Sequence, residues 1–158
     1  MTDILAAIPL LLTPTMLLLI AGGSLLGTIL GATPGISATL SIALLVPVTF
    51  SMDPTAALAF LGGVYCGAIY GASISATLIN VPGTPAAVAT MIDGYALTRQ
   101  GKAGTALGAA VTASFVGGQF GVLVLLFGAP LVAGWALNIG SQEFFWIVIF
   151  AMTSVGAL

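Results

Sequence analysis

Charged positions divide the chain into long uncharged stretches that predict membrane helices. Residues 4–52, 54–92 and 103–142 form runs of 49, 39 and 40 residues without a charge. One membrane-spanning helix needs about 20 apolar residues. Each run is therefore long enough for two passes, or for one pass and a segment that enters the membrane and turns back. The last run, 144–158, is strongly apolar but shorter than a span, so we expect the chain to be the N-terminal part of a longer protein, truncated at its C-terminus.

Prolines predict where the helices of the first half break, because proline lacks a backbone N–H and clashes with the preceding turn. We expect a membrane helix over 15–31, a break at Pro34 and Gly35, and a half-length helix over 36–46 that ends at Pro47. This half-length helix is too short to cross a bilayer. The first half thus predicts one full pass followed by a re-entrant segment.

The second half repeats this arrangement. A helix over 55–70 is followed by small residues with Pro82 and Pro85, which form a second break. We then expect a polar loop over 93–102, a long helix over 103–127, a turn region over 128–142 and an incomplete helix from 145. The predicted fold is an all-α polytopic membrane protein with about four to five membrane helices plus broken-helix or re-entrant Pro-Gly hairpins.

Composition identifies the surroundings of the protein and excludes several functions. Charged residues make up 4% of the chain and apolar residues 59%, so the surface must face the lipid bilayer. The chain has one cysteine, Cys66, and no histidine. It can therefore form no disulfide, no transition-metal site of the usual ligands and no Ser-His or Cys-His nucleophile pair. We therefore expect neither an enzyme nor a cofactor. The net charge of −2 offers no basic surface to nucleic acid.

The polar segment 93–102 holds both basic side chains of the protein, Arg99 and Lys102. Cytoplasmic loops of membrane proteins carry an excess of lysine and arginine. This rule predicts that the loop 93–102 is cytoplasmic. Asp93, at the start of the loop, is expected in an exposed turn or cap rather than as a buried proton carrier.

Two ladders of glycine recur at every fourth position, which places each ladder on one face of a helix. Small residues at this spacing commonly let membrane helices pack closely, although the same smooth face could also slide or rock during transport. The sequence alone leaves both interpretations open. The ladders consist of Gly23, Gly27 and Gly31, and of Gly63, Gly67 and Gly71.

Each ladder is followed by a Pro-Gly break among hydroxyl residues. Where a helix restarts after such a break, its first N–H groups are unpaired and its positive dipole end favours an anion. Interrupted helices of this kind bind anionic substrates in secondary transporters, while free carbonyls and hydroxyls coordinate the coupling cation. Ordinary proline kinks compensated by neighbouring hydroxyls are the alternative interpretation.

These considerations select two overlapping sets of candidate residues. Asn80 stands out because its amide is costly to leave unpaired in lipid. No Asp, Glu or His lies deep in the predicted membrane part, so Na⁺ is favoured over H⁺ as the coupling ion. The candidate substrate-binding residues are Thr33, Pro34, Gly35, Ser37, Asn80, Pro82, Gly83 and Thr84. The candidate cation-binding residues are Thr33, Ser73, Ser75 and Asn80.

Four ordered blocks make the chain resemble a known family of membrane proteins. They read GSLLGTILGATPGISATLSIALLVPVTFSMDPTAAL, GGVYCGAIYGASISATLINVPGTPAA, DGYALTRQGKAGTALG and IGSQEFF. The chain is similar to the TctA family, the large permease subunit of tripartite tricarboxylate transporters. By position, the family's first Pro-Gly loop falls on Pro34 and Gly35 and its second on Asn80, Pro82 and Gly83. Its acidic cytoplasmic turn falls on Asp93 and Gly94.

The resemblance implies a function and a set of partners. It implies secondary-active, cation-coupled uptake of a di- or tricarboxylate such as citrate across the bacterial inner membrane, together with a small membrane subunit and a periplasmic solute-binding protein. It also implies that the chain is one of two related halves of a longer permease. The chain has Ser37-Ala38 and Gly71-Ala72 where relatives often carry glycine-containing pairs, which leaves the substrate open. The alternatives are a structural or accessory membrane subunit and a passive channel without coupled transport.

Overall fold

A computed structural model describes residues 9–136 and 139–156. Six helices account for most of this part of the chain, and no strand occurs within it. The prediction of an all-α polytopic membrane protein is confirmed. In chain order the helices are α1 (Pro14–Ala32), α2 (Ala38–Thr49), α3 (Pro54–Ile79), α4 (Ala87–Arg99), α5 (Ala103–Ala136) and α6 (Ser141–Gly156).

Three of these helices are long and apolar enough to cross a membrane. They are Pro14–Ala32, Pro54–Ile79 and, within α5, Ala103–Ala129. The helix α2 is apolar but only 12 residues long, as the break pattern predicts. Large apolar side chains such as Leu18, Leu25 and Leu58 are mostly exposed, which is the arrangement expected of a surface in contact with lipid.

The first three helices begin at residues that favour a helix N-terminus. Thr13, Ser37 and Asp53 are the N-caps of α1, α2 and α3, and each side chain accepts a hydrogen bond from a backbone N–H of the first turn, at 3.4, 3.2 and 2.9 Å. Proline occupies the first position of α1 and of α3, where its missing N–H has no partner to lose.

Several predicted boundaries are wrong because proline and small residues interrupt these helices less than expected. Pro47 does not end α2, which continues to Thr49; a proline this close to the end removes one N–H and leaves the remaining turn intact. The helix α3 runs past Tyr70 to Ile79, since its small residues pack rather than break it. The turn region expected from 128 is helical to Ala136.

The polar segment 93–102 is also corrected, since it is a loop only after Arg99. Gly101 has a φ of +77°, and its N–H donates to the Thr98 carbonyl at 2.9 Å while the Lys102 N–H donates to the Leu97 carbonyl at 3.0 Å. This is the Schellman arrangement that closes a helix with a left-handed glycine. The cytoplasmic position of the segment stays a prediction.

The chain divides into two compact units, 1–114 and 115–158. In the first unit, α3 packs against α1, α2 and α4, and its buried face consists mainly of glycine, alanine, serine and threonine. In the second unit, the described side chains are mostly exposed, and Phe145 and Trp146 of α6 form an edge-to-face ring pair with centroids 5.6 Å apart. The candidate site residues all belong to the first unit.

Candidate functional site

The two glycine ladders pack directly against each other. A Cβ atom placed on Gly23, Gly27 or Gly31 of α1 would overlap the backbone carbonyls of Phe60, Val64 and Ala68 of α3, in that order. A Cβ atom on Gly63, Gly67 or Gly71 would in turn overlap the carbonyls of Ile20, Ser24 and Thr28 of α1. The glycines are therefore required for backbone-to-backbone contact, and the ladders are packing surfaces in this structure.

The order of these contacts fixes the relative direction of the two helices. As the chain advances from Gly23 to Gly31 in α1, its neighbours in α3 advance from Phe60 to Ala68. The helices α1 and α3 are consequently parallel, and α2 returns the chain from the end of the first to the start of the second. The break that follows α1 and the carboxyl-terminal part of α3 lie at the same end of this pair.

The first break, 33–37, is an open turn between α1 and α2. The Thr33 N–H donates to the Leu30 carbonyl at 3.0 Å and the Ile36 N–H to the Thr33 carbonyl at 3.2 Å, so Ile36 has no free donor there. Gly35 is exposed with a φ of +89°, a conformation that favours glycine. The N–H groups of Gly35 and Ser37 donate to no acceptor in the described part of the chain.

The second break begins with a residue in the left-handed conformation. Asn80 ends α3 with φ 60° and ψ 30° and is the one non-glycine residue with positive φ among those described. Its backbone N–H donates to the Ser75 carbonyl, and its exposed side-chain amide has no hydrogen-bond partner in the described residues. Asparagine tolerates the left-handed conformation better than most residues, which explains how it can occupy this cap.

After Asn80 the chain turns back along α3. A Cβ atom on Gly83 would lie 3.1 Å from both the Ala72 Cβ and the Gly31 carbonyl oxygen. The second break therefore touches the end of α1, two residues before Thr33. Asn80, eight residues beyond Ala72, lies about 12 Å farther along the helix axis. The structure brings the second Pro-Gly break against the last turn of α1, just before the first break, and holds Asn80 about two helical turns away from this contact.

The helix α4 restarts from this second break. The Ala87 N–H donates to the Thr84 carbonyl at 3.0 Å and to its hydroxyl oxygen at 3.3 Å, so Thr84 performs the capping role. The N–H groups of Gly83 and Thr84 donate to no acceptor in the part of the chain that is described. The two breaks thus provide free backbone donors without a charged side chain, which is an arrangement suited to an anion.

The hydroxyls selected as cation ligands are hydrogen-bonded within their own helices. Ser73 donates to the Tyr70 carbonyl at 2.8 Å, Ser75 to the Ala72 carbonyl at 3.1 Å and Thr33 to the Ile29 carbonyl at 3.0 Å. Ser73 and Ser75 are buried, whereas Thr33 is exposed. Each of these oxygens keeps a lone pair for a cation, but the sequence-predicted set is spread over one helix, α3, and the C-caps of α1 and α3.

Sequence reasoning gave no role to Thr77, which the structure singles out. Its side chain is 0% exposed, and its Oγ1 is the one buried side-chain N or O atom without a hydrogen-bond partner in the described residues. An unpaired buried hydroxyl costs about 1–3 kcal/mol. The available signal was the four-residue spacing from Ser73, which places both hydroxyls on one face of α3.

Gly94 of α4 lies opposite this hydroxyl. A Cβ atom on Gly94 would be 2.9 Å from the Thr77 Oγ1, so the backbone of α4 packs directly against the Thr77 side chain. Nearby, Ala72, Ala76 and Ala87 form a small apolar cluster between α3 and α4, with Met91 packed against it. The Thr77 hydroxyl is therefore enclosed between two small-residue helix faces.

Comparison with known proteins places these features in a family. Residues 17–158 match the model of the tripartite tricarboxylate transporter TctA family. The chain is also 43% identical, over 141 residues, to an uncharacterized 52.8 kDa protein in the TAR-I ttuC' 3'region of Agrobacterium vitis, and that alignment covers 89% of this chain. The chain spans 28% of the length of that relative. No solved structure matches. The family match extends over both glycine ladders, both breaks, most of α1 and the helices α2 to α6, and the chain belongs to the TctA family of tripartite tricarboxylate transporters.

Proposed function

We propose that the chain forms part of the permease that carries a di- or tricarboxylate, such as citrate, across the bacterial inner membrane. In this proposal the two Pro-Gly breaks supply the anion-binding groups. The free N–H groups of Gly35, Ser37, Gly83 and Thr84 hold carboxylate oxygens, and the adjoining prolines keep those segments out of the helices. The substrate carboxylates then need no arginine or lysine.

The observation that carries this proposal is the contact between the second break and the end of α1. Gly83 lies against Gly31, two residues before the first break begins, so both breaks lie at the same end of the parallel helix pair. In transporters built from interrupted helices, such paired ends bind the anionic group of the substrate.

Uptake is proposed to be driven by a cation gradient rather than by ATP. The candidate groups are hydroxyls, carbonyls and the Asn80 amide, which are hard oxygen ligands suited to Na⁺. Proton coupling is the alternative that the uptake experiment distinguishes. A periplasmic solute-binding protein that delivers the carboxylate and a small membrane subunit are the proposed partners, consistent with the tripartite family.

The test measures uptake of labelled di- and tricarboxylates into membrane vesicles. The vesicles contain the complete permease as the cell makes it, the small subunit and the binding protein, with either a Na⁺ gradient or a pH gradient. Asn80→Gly tests the Asn80 amide as a cation ligand, because glycine accepts the positive φ of this cap and removes only the amide. We expect it to lower uptake by about tenfold or more at normal expression, as for loss of one hydrogen bond to a charged ligand.

Gln100→Ala is the matched control, since Gln100 carries an exposed side-chain amide at the C-cap of α4, outside both breaks. It should transport normally. Normal uptake by Asn80→Gly would remove Asn80 from the binding site. Uptake that equilibrates without a gradient and without the binding protein would indicate a passive channel, and loss of assembly rather than of uptake would indicate a structural subunit.

A further inference from the structure

A side-chain amide lies in the middle of the membrane span of α5. Gln119 is the one asparagine or glutamine within Ala103–Ala129, and it lies about 4.5 Å along the helix axis from Val116, the midpoint of that span. Its side chain is exposed and forms no hydrogen bond with the described residues. A carboxamide carries two N–H donors and an acceptor oxygen, and their exposure to hydrocarbon is unfavourable. Lipid alone is therefore an unsuitable neighbour for this position.

A threonine of the same helix shows how α5 satisfies a smaller polar group by itself. Thr112 Oγ1 donates to the Gly108 carbonyl at 3.0 Å, so this hydroxyl needs no second helix. Gln119 makes no bond of this kind. In membrane proteins, side-chain amides that their own helix leaves unpaired hydrogen-bond across to another helix.

The residues around Gln119 form a surface suited to helix packing. Phe115, Val122 and Leu126 lie four residues before, three after and seven after Gln119, which places all four on one side of α5. We call this surface the Gln119 face, and it belongs to the second unit. The side chains of Phe115 and Val122 are 67% and 56% exposed. Apolar residues at this spacing with a single polar residue among them are the pattern by which two helices pack side by side and fix their register.

The length of a related protein indicates where the partner helix comes from. The chain spans 28% of the Agrobacterium vitis relative, so nearly three quarters of that relative has no counterpart here. Helices of one polypeptide are held near one another at a high effective concentration. They consequently cover one another's polar faces in preference to a helix from a separate chain. This argument favours a helix of the same permease over a second copy or the small subunit.

We propose that the Gln119 face is the docking surface for a membrane-spanning helix elsewhere in the complete permease. That helix carries an amide, hydroxyl or carboxyl side chain at the level of Gln119, and the two side chains hydrogen-bond to each other. Phe115, Val122 and Leu126 pack against the apolar residues around this bond. The inference concerns assembly of the permease and does not depend on which solute it carries.

The first experiment identifies the neighbour of the Gln119 face by photo-crosslinking. The photoreactive residue p-benzoyl-phenylalanine is incorporated in place of Phe115 in the complete permease, in membranes that also contain the small subunit. After irradiation, the crosslinked peptides are identified by mass spectrometry. We expect a crosslink to a membrane helix of the same polypeptide outside the six helices described.

The matched control carries the same probe in place of Phe120. Phe120 is 71% exposed, close to the exposure of Phe115, but lies about 140° from Phe115 around the helix. Its intrachain crosslink should be at least about tenfold weaker than that of the Phe115 probe. Equal yields from the two positions, lipid adducts alone at Phe115, or a crosslink to a second copy or to the small subunit would each overturn the inference.

The second experiment tests the amide itself through the melting temperature of the purified permease. Gln119→Leu should lower this temperature by about 2 °C or more, because it leaves the partner side chain without its hydrogen bond. It should also reduce the crosslink from the Phe115 probe. Phe120→Leu exchanges one exposed apolar side chain for another and should melt as the wild type does.

The sign of the shift distinguishes the two environments of Gln119. If the amide faced lipid, leucine would remove a polar group from hydrocarbon, and the melting temperature would stay the same or rise. Either of those results contradicts the inference. If Gln119→Leu cannot be purified in a folded form, the crosslinks in the wild-type background decide. Neither readout requires carboxylate uptake, so failure of this inference leaves the proposed function standing, and the reverse also holds.

Discussion

Glycines in the α1–α3 pair and glycines in α5 have similar spacing but different surroundings. In the pair, each ladder glycine faces a backbone carbonyl of the other helix, and a Cβ atom has no room. In α5, Gly104 and Gly108, and Gly117 and Gly121, are also four residues apart, yet nothing in the described residues lies within 4 Å of a Cβ at any of them. The spacing of the glycines alone thus predicts a helix face without side chains. Close packing also requires a second helix with such a face in the matching register.

The largest loss of stability is expected where the backbones of α1 and α3 are in contact. Gly27→Ala would place a Cβ atom against the Val64 carbonyl, a clash that no side-chain rotation relieves, at an expected loss of about 3 kcal/mol or more in the free energy of unfolding. Combining it with Gly67→Ala should prevent recovery of folded permease. The measurement is the melting temperature and the monodisperse fraction in size-exclusion chromatography.

Gly22→Ala and Gly62→Ala are matched controls on the same two helices, because nothing lies within 4 Å of a Cβ at either position. They should leave stability unchanged or raise it by up to about 1 kcal/mol, since alanine favours a helix more than glycine does. If Gly27→Ala melted at the same temperature as Gly22→Ala, the two helices could not be in the register described.

A smaller loss of stability is expected where the second break packs against α3. Gly83→Ala brings a methyl group to 3.1 Å from the Ala72 Cβ and should cost about 1 kcal/mol. Ala72→Gly removes the opposing methyl, so a double-mutant cycle should show a favourable coupling of at least about 0.5 kcal/mol. Strictly additive single effects would mean that Gly83 does not approach α3 at this residue.

The smallest change in stability is expected for a glycine substitution in α5. Gly121→Ala should change the free energy of unfolding by no more than about 1 kcal/mol, and in the stabilising direction, because the new methyl group meets no neighbour in the described residues and alanine has the higher helix propensity. The same melting assay measures it beside Gly27→Ala. A destabilisation as large as that of Gly27→Ala would show that α5 has a backbone partner comparable to that of α1.

The sequence predicted the positions of the Pro-Gly breaks better than the ends of the helices. The breaks at Pro34-Gly35 and Pro82-Gly83 and the short α2 follow directly from proline and glycine chemistry. The extension of α3 from Tyr70 to Ile79 does not, because the glycine, serine and threonine residues there favour a helix only weakly and packing against α4 supports it. Gly101 is a residue type that commonly follows the end of a helix, but the charged residues around it favoured the interpretation of 93–102 as a loop.

The candidate site was predictable as a set of residues but not as a geometry. Thr33, Gly35 and Asn80 were selected for their chemistry, and the sequence has no means of showing that Gly83 returns to Gly31 while Asn80 remains two turns away. Thr77 was overlooked because its distinguishing property is a missing hydrogen bond. Such a property depends on where α4 lies.

The parallel direction of α1 and α3 has a consequence for hydration. The 12 residues of α2 extend about 18 Å, against a hydrocarbon thickness of about 30 Å. The segments 33–37 and 50–53 must therefore carry the chain over the remaining depth, with peptide groups that the adjoining helices pair only in part. Thr33, Gly35 and Asp53 are exposed, so we expect solvent to reach inward at both ends of α2. Two water-filled indentations would then reduce the thickness of the low-dielectric layer that an ion has to cross.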